Sequence, residues 1–276
     1  RKRNSIKYKP YLIFMQFNLN KVTLSHVDKK IGLKLPKEPS ERLAEFIGIL
    51  AGDGYIGSLK AGKDHCIVIG GHIKDDKQYF GYINKELVDP LFGIEMHSLI
   101  KRKANNRILK IQSQGLLSFL ITSGYQKKHC IVDVPNWIWG RDVWVKSFIK
   151  GVFDTDGSLI MKKNHGRYLY YPVVRIALKD KKLVTKIADW LKRQGFSFWL
   201  GDESPFDKRT GKIYKRTVLQ ISGYPNVSKW MEIIGMANDK NIKKWDRGDL
   251  NPRLRKAKQK LGFLPRSSAV RANFKS

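Results

Sequence analysis

Two short segments of the chain end in the same pair of residues and could do chemistry together. The first is Phe46-Ile47-Gly48-Ile49-Leu50-Ala51-Gly52-Asp53-Gly54, and the second is Ile149-Lys150-Gly151-Val152-Phe153-Asp154-Thr155-Asp156-Gly157. In each, a mostly apolar helical run carries a glycine in its middle and stops at Asp-Gly. A mid-helix glycine costs about 1 kcal/mol against alanine, so Gly48 and Gly151 predict close approach of another helix. A carboxylate at the negative end of a helix is electrostatically disfavoured. One Asp-Gly alone reads as ordinary turn chemistry, but two at the same point of similar units point to a functional pair. If the two helices pack together, Asp53 and Asp156 meet at their adjoining ends, where repulsion raises both pKa values unless a cation lies between them. Mg²⁺ suits such a place because it takes oxygen ligands, retained waters and phosphate oxygens. A metal held there supports phosphodiester hydrolysis.

The elements that position these acids follow from periodicity and breakers. A helix opening at Ser40 or Glu41 carries Leu43, Phe46, Ile47, Leu50 and Ala51 at helical spacing. Strands are expected near 55–59 and 65–69, then a helix capped by Asp76 and stopping before Pro90. Strands near 95–101 and 107–112 and a short helix 116–122 follow, closing at Gly124. The second half repeats this order: a helix from about Val143 to Gly157, strands near 158–162 and 168–178, a helix capped by Asp180, a hairpin within 196–221, and a helix 227–234 closing at Gly235. Gly48 to Gly151 is 103 residues, Asp76 to Asp180 104, Gly93 to Gly195 102 and Gly124 to Gly235 111, the excess falling in the longer turn 202–211. The expected architecture is α+β, with two pseudo-symmetric αββαββα half-domains, each carrying a four-stranded antiparallel sheet, packed through the glycine-bearing helices. Its boundaries are a basic extension 1–39, half-domains 40–124 and 143–239, a linker 125–142 and a basic extension 240–276. The first extension carries a net +8 and an apolar patch at 11–14, and reads either as a solvated tail or as an arm along a phosphate backbone.

Fifty-four Lys and Arg against 24 Asp and Glu give a formal charge of +30 and a pI near 10.1. So large an excess repels itself and calls for a polyanionic partner. No apolar run approaches the roughly 20 residues that span a bilayer, which favours nucleic acid over a membrane. The first residues show no secretory signal pattern, so an intracellular protein is expected, in a prokaryotic cytoplasm or an organelle. Only Cys66 and Cys130 are present, too few for a disulfide framework. The pairs His65-Cys66 and His129-Cys130 lack the ligand spacing of a zinc site.

The two segments resemble the LAGLIDADG motif of homing endonucleases in the single-chain, two-motif form, and the element order over roughly 40–240 resembles that family's two halves. The resemblance implies that the motif helices form the interface between half-domains, with Gly48 and Gly151 at the contact. It implies that Asp53 and Asp156, at the eighth motif position, bind the catalytic metal. Asp154 keeps the usual sixth-position acid, whereas Ala51 replaces it in the first copy, and Lys150 replaces a small residue. Basic residues near the end of each second strand are the further catalytic candidates, here Lys179 and Lys74. Strand alternation and groove chemistry make Lys101, Lys103, Lys110, Gln112, Arg175, Arg216 and Gln220 the candidate DNA contacts.

The implied activity is that of a monomeric, Mg²⁺-dependent endonuclease cutting double-stranded DNA at a long, non-palindromic site with 3′ overhangs, encoded by a mobile intron. Mn²⁺ is expected to substitute and Ca²⁺ to bind without supporting cleavage. The alternatives are an RNA maturase acting on its own intron RNA, a non-cleaving DNA-binding protein of the same fold, or an endonuclease domain within an intein.

Overall fold

Ahead of the first motif helix the chain is not a free arm. The computed structural model describes residues 15–60, 64–101, 105–163, 170–208 and 210–247, and residues 15–40 lie against the body. They form a 3-10 turn (Leu19–Lys21) and a short helix α1 (His26–Lys30), with Phe17 edge-on to Phe119 and Trp137. Asp28 is fully buried. Its carboxylate accepts hydrogen bonds from Ser113 Oγ at 2.6 Å, Gly115 N at 2.9 Å and Ser25 N at 2.8 Å. Ser113 and Gly115 lie at the start of the helix Gln114–Thr122, so the carboxylate answers unpaired N–H groups at its positive end. From residue 15 onward this segment is a docked strap, because a buried acid and an aromatic anchor outweigh its lysines. The apolar patch at 11–14 lies outside the described residues.

The first half runs α2 (Glu41–Ala51), β1 (Gly54–Ile56), β2 (Cys66–His72), α3 (Lys77–Tyr82), α4 (Asp89–Phe92), β3 (His97–Lys101), β4 (Asn106–Gln112) and α5 (Gln114–Thr122). Ser40 Oγ caps α2 by accepting Leu43 N at 3.2 Å. The expected stop before Pro90 does not occur. A π-helical stretch, Ile83–Val88, joins α3 to α4, and Pro90 falls in the first turn of α4, where no N–H is required of it. Gly93, in the left-handed region at φ 65°, ends the run.

Residues 125–142, expected to be the linker, carry a hairpin of β5 (Gln126–Lys128) and β6 (Ile131–Asp133), then a 3-10 turn (Asn136–Gly140). The second half follows as α6 (Asp142–Asp156), β7 (Gly157–Lys163), β8 (Tyr170–Leu178), α7 (Lys181–Arg193), β9 (Trp199–Glu203), a small hairpin of β10 (Phe206–Asp207) and β11 (Lys212–Ile213), β12 (Arg216–Ser222) and α8 (Tyr224–Ile233). Asp180 caps α7 by accepting Leu183 N at 3.0 Å.

Each half builds an antiparallel four-stranded sheet with the same topology, β1-β2-β4-β3 in the first and β7-β8-β12-β9 in the second. Alternation turns Ile67, Ile69, Leu109 and Ile111 of one sheet, and Leu159, Val174, Ile176, Leu219 and Ile221 of the other, into the core, leaving the opposite faces outward. Past α8 the basic C-terminal segment continues as α9 (Asp239–Arg247). Asn241 Oδ1 accepts Leu159 N at 3.1 Å, and Trp245 is buried. Residues 248–276 of the basic extension lie outside the described residues.

The halves meet where α2 packs along α6. A Cβ on Gly48 would overlap the carbonyl oxygen of Phe148 and sit 3.1 Å from Val152 N. A Cβ on Gly151 would overlap the carbonyl oxygen of Glu45 and sit 2.8 Å from Ile49 N. The contact is reciprocal and backbone on backbone, which only glycine permits. Beside it Lys150 Nζ lies 3.0 Å from Glu45 Oε1 and donates to Tyr82 Oη at 2.9 Å, while Tyr82 Oη donates to Glu45 Oε1 at 2.8 Å. Lys150 is therefore an interface residue. Burial alone would depress its pKa, but Glu45 and Tyr82 hold it above the ordinary lysine value.

Candidate active site

The helix seam delivers both motif acids to one place. Gly52 follows α2 directly, and a Cβ there would overlap Thr155 Oγ1 and lie 3.2 Å from Asp156 Oδ2, so the Asp156 carboxylate leans over the end of the opposite helix. Asp53 is the next residue. Both residues are exposed to solvent. Burial, then the charge of Asp156, raises Asp53 to about 7, with Lys240 and Lys127 opposing. Asp156 is also raised by burial, against Lys127 and Lys240.

Lys127, on β5, is a site residue that sequence reasoning missed. Its ammonium donates to the carbonyl oxygens of Leu50, Ala51 and Gly52 at 3.1, 2.9 and 2.5 Å. It sits on the negative end of α2, and that charge offsets the penalty of placing carboxylates there. The second half solves the same problem differently. Asn238 Nδ2 donates to the carbonyl of Asp154 at 2.9 Å, at the end of α6. Lys127 and Asn238 each follow a left-handed glycine, Gly124 and Gly235, by three residues. That shared offset was the available signal.

Asp154 is not aimed at the cleft. It is fully buried, and its oxygens accept Ala237 N at 2.7 Å and Asn238 N at 3.1 Å. Burial lifts its pKa to about 7 despite those bonds. The Ala51–Asp154 difference therefore reflects how each half's closing segment is tied down, by a lysine on carbonyls in one and a carboxylate on amides in the other.

Asp76, expected to cap α3, makes no side-chain cap. It accepts His72 N at 2.7 Å and Asn238 Nδ2 at 2.9 Å, and lies 3.3 Å from Lys240 Nζ. Burial opposes its ionisation, but these bonds and Lys240 hold its pKa below the ordinary value. Its counterpart Asp180 accepts Val132 N at 2.8 Å. In each half, the acid that starts the helix grips the closing segment of the other half.

Lys179, exposed at the end of β8, has its Nζ 5.2 Å from the centre of the Tyr214 ring. With Asp156, Lys127, Tyr214 and Arg216 it lines a cleft of about 660 Å³. Lys74 lies exposed in the turn after β2; the cations whose charge acts on Asp53 are Lys240 and Lys127. Lys101, Lys110 and Gln112 share the outward face of the first sheet, by the pairings Lys101–Asn106, Lys110–Val68 and Gln112–Cys66. Arg175, Arg216 and Gln220 share the outward face of the second. Gln220 Oε1 accepts Lys162 Nζ at 3.1 Å. Lys103 lies outside the described residues.

Among the described residues no three His, Cys, Asp or Glu side chains form a metal-holding group, and Cys66 and Cys130 are free thiols. The Asp53–Asp156 pair nonetheless fits a Mg²⁺ ion. Its donors are hard oxygens facing solvent, its repulsion is what a cation relieves, and the remaining ligands of Mg²⁺ are ordinarily water and phosphate. No helix among the described residues is long and apolar enough to cross a membrane.

No protein-family model matches the chain. The uncharacterized protein MJ0314 of Methanocaldococcus jannaschii is 28% identical over 171 residues, a match covering 62% of this chain and 59% of that protein's length. Among solved structures, mesophilic variants of the homing endonuclease I-DmoI align with a TM-score of 0.48 at 19% identity, over 71% of this chain and 95% of theirs. I-DmoI in complex with DNA and Ca aligns with a TM-score of 0.48 at 18% identity, over 72% of this chain and 93% of its own. The meganuclease I-SmaMI bound to uncleaveable DNA aligns with a TM-score of 0.46 at 11% identity, over 81% of this chain and 98% of its own.

Proposed function

We propose that this chain is a site-specific endonuclease that cuts both strands of double-stranded DNA at a long, non-palindromic site, using Mg²⁺ bound at Asp53 and Asp156. The observation that carries the reading is the meeting of these two acids, from equivalent ends of paired helices, with Lys127 and Lys240 beside them in a chain of charge +30. The half-domains are residues 40–124 and 143–239, and the differing outward faces of their sheets suit a target without two-fold symmetry. The resemblance of the two motif segments further supports 3′ overhangs, action as a monomer and an origin within a mobile intron.

A bound Mg²⁺ would supply charge for the departing 3′ oxygen and lower the pKa of an attacking water. The protein's own groups do the rest. Lys127 fixes the end of α2 and so the position of Asp53. Lys179, exposed in the cleft, pairs with a phosphate oxygen, and the side chains on both sheet faces hold the duplex across the two acids. Lys240, held by Asp76, keeps positive charge at the first acid.

Cleavage of a randomised duplex library tests this with the wild-type chain, Asp53→Asn and Asp156→Asn, in Mg²⁺ or Ca²⁺. Double-strand breaks are expected only from the wild type in Mg²⁺, with binding by all three proteins in Ca²⁺. Each substitution should cost more than the roughly 10–100-fold that loss of an outer-shell partner costs a metal site. A wild-type protein that binds duplex DNA but cuts no library member in Mg²⁺ or Mn²⁺ refutes the assignment.

A further inference from the structure

On the outward face of the second sheet a single carboxylate holds two of the candidate DNA contacts. Glu203, at the end of edge strand β9, stands directly across from Arg216 on β12. Arg216 Nη2 donates to Glu203 Oε2 at 3.2 Å, and Arg175 Nη2, from β8, donates to the same oxygen. The row between them is Ala177, Val218 and Gly201, small enough for the Arg175 side chain to cross. Gly201 also yields room to an indole, because a Cβ there would overlap the Trp199 ring. The arginine side chains keep 21% and 35% of their exposure, and each guanidinium has N–H groups beyond the one that Glu203 takes.

A carboxylate on a surface that faces phosphates lowers affinity, since it repels the polyanion and cancels one of two positive charges. Its position has a use. A free arginine on such a face most often finds a phosphate, which carries no sequence information. An arginine held at one edge by a carboxylate cannot swing to the backbone, and its remaining edge is presented to the groove. The fixed fork of guanidinium matches the O6 and N7 acceptors of guanine.

We propose that Glu203 is a specificity-determining positioning residue, which holds Arg175 and Arg216 as readers of guanine in the half-site under the second sheet. The proposal rests on duplex DNA being the substrate. It deepens that reading by naming the bases recognised and the residue that enforces the choice.

The test compares wild type, Glu203→Ala and Glu203→Gln in Ca²⁺, first by the salt dependence of binding to random duplex DNA, then by base preference in sites selected from the library. Each phosphate newly contacted steepens the plot of log affinity against log salt by about 0.9. Glu203→Ala should therefore steepen the slope by about 1–2 and bind random DNA more tightly at low salt. Its preference for guanine at the positions read by Arg175 and Arg216 should fall about 10-fold. Glu203→Gln, which keeps the shape and one acceptor, should lie between. An unchanged slope with unchanged base preference in Glu203→Ala overturns the clamp and leaves DNA binding intact. So does weaker binding with a shallower slope, the signature of a merely structural residue. Failure of the wild type to bind any duplex overturns the clamp together with the nuclease reading.

Discussion

Replacing Lys150 by methionine should destabilise the protein strongly, and removing its partner as well should restore most of the loss. The Glu45 side chain is 9% exposed and that of Lys150 21%, with Nζ 3.0 Å from Glu45 Oε1 and Tyr82 Oη bridging both. Lys150→Met leaves a buried carboxylate with one hydroxyl donor, a situation that costs about 3–5 kcal/mol. Replacing both members by apolar residues of similar volume removes the desolvation problem and is often near neutral, so Glu45→Leu with Lys150→Met should lie within about 1 kcal/mol of wild type. Tyr82→Phe removes two hydrogen bonds and should cost about 1–2 kcal/mol. In a chain of this size the single substitution should lower the melting temperature by roughly 10 °C. Calorimetric melting of the wild type, Lys150→Met, Glu45→Leu and the double substitution at neutral pH gives the coupling energy of the pair. If Lys150→Met melts at the wild-type temperature, or the double substitution is as unstable as the single, the cluster does not hold the seam as described.

Two further outcomes follow from the seam and the strap. Gly151→Ala places a methyl group on the carbonyl oxygen of Glu45, so the helices must separate; despite better helix propensity it should lose about 1–3 kcal/mol by denaturant melting, whereas alanine at Gly81, where a Cβ meets nothing within 4 Å, should be neutral or stabilising. Asp28 is opposed by burial, yet the donors from Ser113, Ser25 and Gly115 hold its pKa below the ordinary carboxylate value. Its contribution is therefore full above that ordinary value and disappears as the pH falls through its native one. Asp28→Ala should cost about 3 kcal/mol at pH 7 and progressively less as the pH falls below the ordinary carboxylate value, read by melting across that range.

The motif helices, both sheets and the pseudo-repeat were legible because they rest on local signals: helical spacing around Gly48 and Gly151, alternation in β2, β4, β8 and β12, and turn glycines at matching offsets. Much of the surrounding site was not legible, since it is assembled from contacts far apart in sequence. Beyond its offset from Gly124, nothing local distinguishes Lys127 from a solvated lysine, because its role depends on carbonyls some 75 residues away. Asp76 reads as an N-cap until Asn238, 162 residues on, claims its carboxylate. The strap at 15–40 reads as a basic tail because the residues that dock it, Phe17 and Asp28 among them, are scattered among lysines. Pro90 misleads because a π turn shifts the hydrogen-bond register just before it. Glu203 gave no signal at all, being one acid among many until two arginines converge on it.

The crossed grips of Asp76 on Asn238 and of Asp180 on Val132, added to glycine-seated helices, tie each half to the segment that closes the other. If the chain holds duplex DNA as proposed, a clamp cross-tied in this way adjusts its span little to a straight duplex. Any mismatch between the paired sheets and the curvature of a bound duplex would then fall on the DNA, whose bending energy varies with sequence. Base pairs that no side chain touches would be discriminated by their stiffness. Substituting flexible steps such as TA for stiff A-tracts in the middle of a target should therefore improve binding without altering a single direct contact.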